Sequence, residues 1–502
     1  MSTIRRQSII SSGIMYIGFA MGAANSLIFA KVLTPEQNGL VTGMFVSIGN
    51  IMSFLSGMGM PSYINKFYPY YKENLKDKDN DMMSLALTAT LTAFVLVLAA
   101  GLVFKPLVIQ KFGNNSELLI HYYYWIFPFG LGLCLYTVLE SYAWMVGKSI
   151  LTSYLREFQW RLFNLVLILL FVLGIVNGYD LFVKLYSLTY LLVAGILAIY
   201  LVRNGKLHFT FSVSRVTKKF LPKIKALVLL AWTGNVLFNI SFFFPAIVIA
   251  AVVPGGLAAV AVFAWGQYIA SLIMAPQRGV AAAAIAHLST AWRNKDYGRI
   301  NRIYSRSVIN QLIFAVGMFI LIALNFRDAI LTLGLPRTYL GSEIIFIIVG
   351  FNRIIDMGTG LNTQILGTST FWRFDFYTGM ILVSLTIPLN YILAREIGIS
   401  GPAIADIITF GLYNTIRCIF LYRRFGMQPF TRHSFYTLLL GTAVYFICRA
   451  LFNDHQGFLW LVVRSVAIIA LYGCGVLALK LSDDIAPIWQ TVKKRLGMAS
   501  KS

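Results

Sequence analysis

Charged residues are scarce in this chain, and several of them stand where water has little access. Arg353 lies about halfway along the apolar run 342–365, and Asp356 follows three residues later on the same helical face. Arg161 in the run 154–176 and Arg278 in the run 256–286 sit in the inner parts of their runs. Glu140 (run 120–146) and Asp406 (run 400–422) are lone acids among apolar neighbours. An ionisable group at membrane depth is expensive, so each is a functional candidate by default. Guanidinium groups match phosphate oxygens with a planar fork, and a desolvated carboxyl could take up and release a proton, as proton coupling requires.

Each candidate has a plainer alternative. Arg353 and Asp356 could neutralise one another, Arg161 and Arg278 could snorkel to headgroups, and the lone acids could serve as hydrogen-bond acceptors. Lys184, Arg417 and Arg464 lie nearer the ends of their runs and are expected to snorkel. Tyr122-Tyr123-Tyr124-Trp125 could stack against sugars, but also suits an interfacial aromatic belt. Gly358 and Gly360 after Asp356, and Pro276 beside Arg278, would weaken the local helix.

The elements that must hold these residues are membrane helices. The chain has 502 residues, 58% hydrophobic and 12% charged, with mean hydropathy +0.73. Soluble domains carry about 25% charged residues, so no soluble globule of this size fits. The apolar runs are long enough to cross a ~30 Å hydrocarbon core and lack two-residue alternation, which predicts helices rather than barrel strands. About fourteen spans are expected, each of ~20 residues. Their limits are 8–30, 41–64, 83–104, 120–146, 154–176, 181–202, 228–252, 256–286, 307–324, 342–365, 376–394, 400–422, 434–452 and 457–479. Arg5 and Arg6 precede a stretch too long for a signal-peptide core, so 8–30 reads as a first span.

The formal net charge of +23 would suggest nucleic acid in a soluble protein. Here the basic residues track topology instead. With the N-terminus inside, roughly 31 Lys and Arg fall on inner segments and roughly 8 on outer ones, as the positive-inside rule requires. Both termini are then cytoplasmic, and the inner basic loops face anionic lipids. The connection 203–227 places Val213, Val216, Phe220 and Ile224 on one face and reads as an interfacial segment, interrupted by Pro222.

A weak internal repeat divides the chain. The same spacing separates Ser116-Glu117 from Ser342-Glu343 and Asn164 from Asn390, in corresponding slots of two six-helix sets. The expected organisation is an N-lobe (1–202), a basic cytoplasmic linker (203–227), a C-lobe (228–433), two further helices (434–479) and a cytoplasmic tail (480–502). The halves would be parallel pseudo-repeats.

Several segments resemble the multidrug/oligosaccharidyl-lipid/polysaccharide exporter superfamily, and within it the bacterial polysaccharide (O-antigen type) flippases. They are Leu33-Thr34-Pro35-Glu36-Gln37-Asn38-Gly39-Leu40, Gly57-Met58-Gly59-Met60-Pro61, and Asn390-Tyr391-Ile392-Leu393 with Gly398-Ile399-Ser400-Gly401-Pro402-Ala403-Ile404-Ala405. The resemblance implies two six-helix lobes around a cavity and alternating access, with the last two helices lining a groove for a lipid tail. It implies a polyprenyl-pyrophosphate-linked oligosaccharide as substrate, moved from inner to outer leaflet of a bacterial cell (inner) membrane for surface polysaccharide synthesis, beside polysaccharide polymerase machinery. Flippases of this superfamily can carry an arginine early in the eighth helix. Gln267 stands at that place here and is the substrate-binding candidate the resemblance implies, without the arginine's charge.

A cation-coupled multidrug exporter of the same superfamily is the second expectation; such exporters typically have twelve helices. A membrane glycan polymerase or ligase is the third. Enzymes of that kind carry a large outer loop with catalytic Arg or His, and this chain has none. Its five histidines do not cluster, and no P-loop, His-Glu-x-x-His pair or nucleophile elbow is present. The four cysteines lack metal-ligand spacing, so neither an enzyme nor a cofactor is expected.

Overall fold

The computed structural model of the chain describes residues 3–210, 212–453, 455–482 and 484, with the backbone alone at 3–13, 15, 16, 278, 279, 282, 283, 286, 372 and 375. Most of the expected tail 480–502 lies outside the described residues. Every regular element among those described is helical. This follows from the solvent: in hydrocarbon each backbone N–H and C=O must find a partner within its own segment. Two compact units, 1–264 and 265–502, divide the chain.

The first unit begins with α1 (Thr3–Val32), α2 (Pro35–Asn38), a π-helix (Gly39–Phe45) and α3 (Val46–Gly57). Thr34 and Gln37 close a capping box, 3.2 and 3.1 Å, and Pro35 occupies the first helical turn, where its missing N–H costs nothing. The expected second span 41–64 is broken: Met58 and Gly59 are left-handed, and α4 (Met60–Asn74) restarts at Met60-Pro61. A side chain at Gly59 would come within 2.7 Å of the Val228 carbonyl, so the turn needs glycine for space as well as for its φ of 65°.

Next come α5 (Met82–Val103), α6 (Lys105–Phe112), α7 (Glu117–His121), α8 (Ile126–Met145), α9 (Ser149–Ser153), a second π-helix (Tyr154–Gln159), α10 (Trp160–Val172) and α11 (Gly178–Arg203). The expected interfacial segment 203–227 is instead largely the start of α12 (Arg215–Val252), which continues unbroken through Pro222 and Pro245. A proline inside a long helix is tolerated where packing holds the rod. Here Phe220 packs on Phe67 and Tyr70 of α4, at 5.6 and 5.0 Å between ring centroids. Buried Asp81 accepts from the Ser214 N–H (2.8 Å) and Thr217 Oγ1 (2.7 Å), and the chain continues through Tyr71 to Tyr63. α13 (Gly256–Ser271) runs across the boundary between the units.

The second unit holds α14 (Ala275–Arg293), α15 (Tyr297–Thr332), α16 (Ser342–Thr359), α17 (Asn362–Gly367), α18 (Trp372–Ile397), α19 (Ser400–Phe425), α20 (Arg432–Phe452) and α21 (Phe458–Ala478). Pro276 starts α14 after a 3₁₀ turn, Leu272–Met274. α18 and α19 form a tight hairpin, in which a side chain at Gly401 would overlap the Leu393 carbonyl. α20 and α21 pack on α15, with Tyr472 donating to the Ile313 carbonyl at 3.0 Å.

Each of the fourteen expected spans falls on helix. Among the described residues, eleven helical stretches are long and apolar enough to cross a membrane, so the chain is a multi-pass membrane protein. The expected spans that do not qualify are α1, described as apolar over Ile17–Val32, and two carrying charge: the π-turn with α10 (Arg156, Glu157, Arg161) and α16 (Glu343, Arg353, Asp356).

Candidate functional site

Most of the candidate residues read from the sequence fall into a charged and polar cluster in each unit. In the first unit the π-turn Tyr154–Gln159 widens the helix by one residue and carries Arg156 and Glu157. π-turns of this kind often occur at functional sites. Arg156 Nη1 donates to Glu140 Oε2 at 3.1 Å, and Arg161 Nη2 donates to Glu157 Oε2 at 3.0 Å. Glu140 is therefore not the lone acid the sequence suggested; its partner lies on the next span. Tyr136 and Tyr190 sit within electrostatic reach of both Arg156 and Glu140, and Trp160 stacks on Tyr190 at 4.8 Å.

Two arginines and two glutamates make this cluster neutral, and their exposures differ. The Glu140 side chain is 7% exposed, whereas that of Arg156 is 55% exposed. Arg161 is largely buried: it lies 5.7 Å from the Phe19 ring, and its Nη1 has no hydrogen-bond partner. A side chain at Gly18 would press on this same Nη1, so α1 comes close only because glycine is there. Asn25 of α1 donates to the Arg161 carbonyl at 2.7 Å.

In the second unit, Asp356 receives hydrogen bonds from Gln277 of α14 (3.4 Å) and Asn414 of α19 (3.3 Å). Asn362 donates to Asn414 at 3.0 Å. Arg417, only 1% exposed, donates to Thr363 (2.7 Å) and Thr378 (3.4 Å), and its guanidinium lies 3.8 Å from the centre of the Tyr413 ring. The helix ends at Gly360 (φ 63°), one turn after Asp356, consistent with the weakness read from Gly358 and Gly360.

Arg353 is half-buried and makes no ion pair with Asp356; its Nε has no hydrogen-bond partner. The carboxylate that feels its charge is Asp406 of α19, which is 7% exposed with an unpartnered Oδ1. The plainer alternative, an Arg353/Asp356 pair, is not formed: Asp406 is the acid within electrostatic reach of Arg353, and Asp356 is held by Gln277 and Asn414.

Gln267 is half-buried and makes no hydrogen bond among the described residues. Arg278 lies on α14, with its side chain outside the described residues. Arg417 and Arg464 do not snorkel. Arg464 is 6% exposed and bonds the carbonyls of Leu324 (2.8 Å) and His455 (2.7 Å), with Asp328 at 3.7 Å. Tyr122 and Tyr123 are packed inside, and Tyr124 instead binds Lys105 at 2.8 Å. No three His, Cys, Asp or Glu side chains among those described could hold a metal ion together.

Sequence reading missed Arg156, Gln277 and Asn414. Asn414 and Arg417 are one turn apart on the polar face of α19, a signal that was present. Gln277 and Arg156 gave none, because their partners lie far away in the chain.

No protein-family model and no curated protein matches this sequence. Solved structures match it along most of its length. An inward closed conformation of the lipid II flippase MurJ superposes with a TM-score of 0.73 at 14% identity, covering 94% of this chain and 98% of that one. An inward-facing multidrug resistance MATE family transporter of the MOP superfamily gives 0.63 at 16% identity, covering 83% and 98%. A MOP superfamily transporter from Pyrococcus furiosus, described as having a binding pocket of reversed polarity, gives 0.57 at 15% identity, covering 84% and 95%. The chain has the fold of these MOP superfamily transporters.

Proposed function

We propose that this protein is a flippase that moves a polyprenyl-pyrophosphate-linked oligosaccharide from the inner to the outer leaflet by alternating access, for surface polysaccharide synthesis. The observation that carries this reading is the extent of the fold likeness. The lipid II flippase accounts for 94% of the chain, whereas the multidrug transporter accounts for 83%. The chemistry agrees. A diphosphate needs cations at membrane depth, and Arg353 has no carboxylate in ion-pair contact among the described residues. Neutral amides around Asp356, Gln277 and Asn414, suit sugar hydroxyls. On this reading the chain works as two six-helix lobes, 1–202 and 228–433, followed by α20 and α21, with both termini cytoplasmic in a bacterial inner membrane.

A cation-coupled multidrug exporter is the second reading, favoured by the buried carboxylate Asp406 with its unpartnered oxygen. Depletion in the host, with lipid-linked glycans assayed by leaflet, separates the two. Inner-leaflet accumulation with loss of surface polysaccharide supports the flippase. Unchanged glycolipids with altered drug sensitivity would replace it by the exporter, and outer-leaflet accumulation of unpolymerised units would point to an enzyme.

A further inference from the structure

A cavity of about 400 Å³ opens in the second unit where α15 ends, α16 begins and the α20–α21 turn folds over them. Arg464 and Asp328 line it as a buried pair at 3.7 Å, each also bonded to the fold, with Asp328 Oδ2 accepting no hydrogen bond. Arg464 saturates backbone carbonyls, and Asp328 accepts from the Gly457 N–H at 3.0 Å. The remaining charged groups are not held in this way. Arg327 makes no hydrogen bond or ion pair among the described residues, and Arg449 bonds only Tyr445, at 3.3 Å. Glu343, on the first turn of α16, also lines the cavity without a partner. His455 adds a buried Nδ1 with no hydrogen bond.

Two guanidiniums with no carboxylate partner and one carboxylate with no cation around a single cavity call for a ligand bearing both signs. Position narrows the class further. α15 ends at Thr332, α16 starts at Ser342, α20 ends at Phe452 and α21 starts at Phe458, so the cavity lies where these helices reach one membrane surface. Apolar side chains share its lining: Leu331, which is 40% exposed, Ile347 and Phe452. A headgroup in the cavity would leave acyl chains free to lie along these side chains.

We infer that this cavity, lined by Arg327, Arg449 and Glu343, binds the headgroup of an amine-bearing phospholipid of the phosphoethanolamine type. The phosphodiester takes the two guanidinium forks, and the primary ammonium donates to Glu343. A choline headgroup satisfies the arginines but has no N–H for the carboxylate. An anionic glycerol headgroup puts no cation against it. The lipid bridges the C-terminal hairpin to α15 and α16 and fastens it there. The inference is independent of what the protein transports.

The test uses the full-length protein in nanodiscs of phosphatidylcholine alone or with phosphatidylethanolamine added. Lipid retained on the protein is read by native mass spectrometry, and stability by the thermal midpoint. Wild type is expected to retain the ethanolamine lipid in preference to the choline lipid and to melt higher when it is present. Arg327→Ala/Arg449→Ala should lose retention by at least about tenfold while melting like wild type in phosphatidylcholine alone. Arg327→Lys/Arg449→Lys keeps the charge without the fork and should retain an intermediate amount. Glu343→Gln should still hold phospholipid but no longer distinguish ethanolamine from choline. Equal retention by wild type and the alanine variant overturns the proposal. So does millimolar inorganic phosphate that raises the wild-type midpoint as far as the lipid does, because the ligand would then be a free anion.

Discussion

The carboxylate of Glu140 on α8 and the guanidinium of Arg156 on the neighbouring π-turn meet at 3.1 Å, with the acid buried and the base half-exposed. The two ends of this pair should therefore respond differently to mutation. Arg156→Ala strands a buried carboxylate, whereas Glu140→Gln leaves a cation with access to its surroundings. Arg156→Ala is expected to cost about 1–3 kcal/mol and Glu140→Gln less, with Glu140→Gln/Arg156→Gln recovering part of the loss. Thermal unfolding of the purified variants checks the order, and a greater loss in Glu140→Gln would refute it.

Asp356 is the carboxylate whose charge acts on Arg417, although the two are joined through Asn414, Asn362 and Thr363 rather than directly. Removing it takes this negative charge away from an arginine only 1% exposed, which keeps its hydroxyl and ring contacts. Asp356→Ala, which also strands the Gln277 and Asn414 amides, should destabilise by about 1–3 kcal/mol, and adding Arg417→Gln should recover part of the loss. Melting curves that show simple additivity would mean that the two charges are uncoupled.

Arg353 has the freest guanidinium of the second cluster, so its loss should affect transport more than folding. Arg353→Ala is expected to abolish leaflet transfer of lipid-linked glycan with normal abundance in the membrane. Arg353→Lys should retain a fraction of the rate, because an ammonium keeps the charge but not the fork. Full transfer by Arg353→Ala would remove this residue from the substrate path.

Glycines on α19 offer a control within a single helix. A side chain at Gly401 meets the Leu393 carbonyl, whereas one at Gly411 meets nothing within 4 Å. Gly401→Ala should force α18 and α19 apart and lower the thermal midpoint by several degrees. Gly411→Ala should be neutral or stabilising by up to about 1 kcal/mol, as helix propensity alone predicts. Similar midpoints for both variants would show that the α18–α19 turn yields without cost.

The sequence by itself determined that the chain is a stack of membrane helices, and where they lie. A backbone in hydrocarbon has almost no alternative to helix, so apolar length alone locates each span. It also marked the residues that do not belong in lipid: Arg161, Arg353, Asp356, Glu140 and Asp406 all proved buried or half-buried. Partnership was decided only by the tertiary structure. Arg353 and Asp356 share a helical face, yet α19 brings Asp406 to one and Asn414 to the other. Arg417 and Arg464 lie near helix ends, where length would let them snorkel, but carbonyls and hydroxyls from neighbouring helices capture them first. Likewise Pro222 would interrupt an isolated helix, and it is the packing of Phe220 on α4 and the Asp81 anchor that keep α12 continuous. Hydropathy is a property of each segment alone, whereas a hydrogen bond between segments depends on which helices become neighbours, and no single run of residues encodes that.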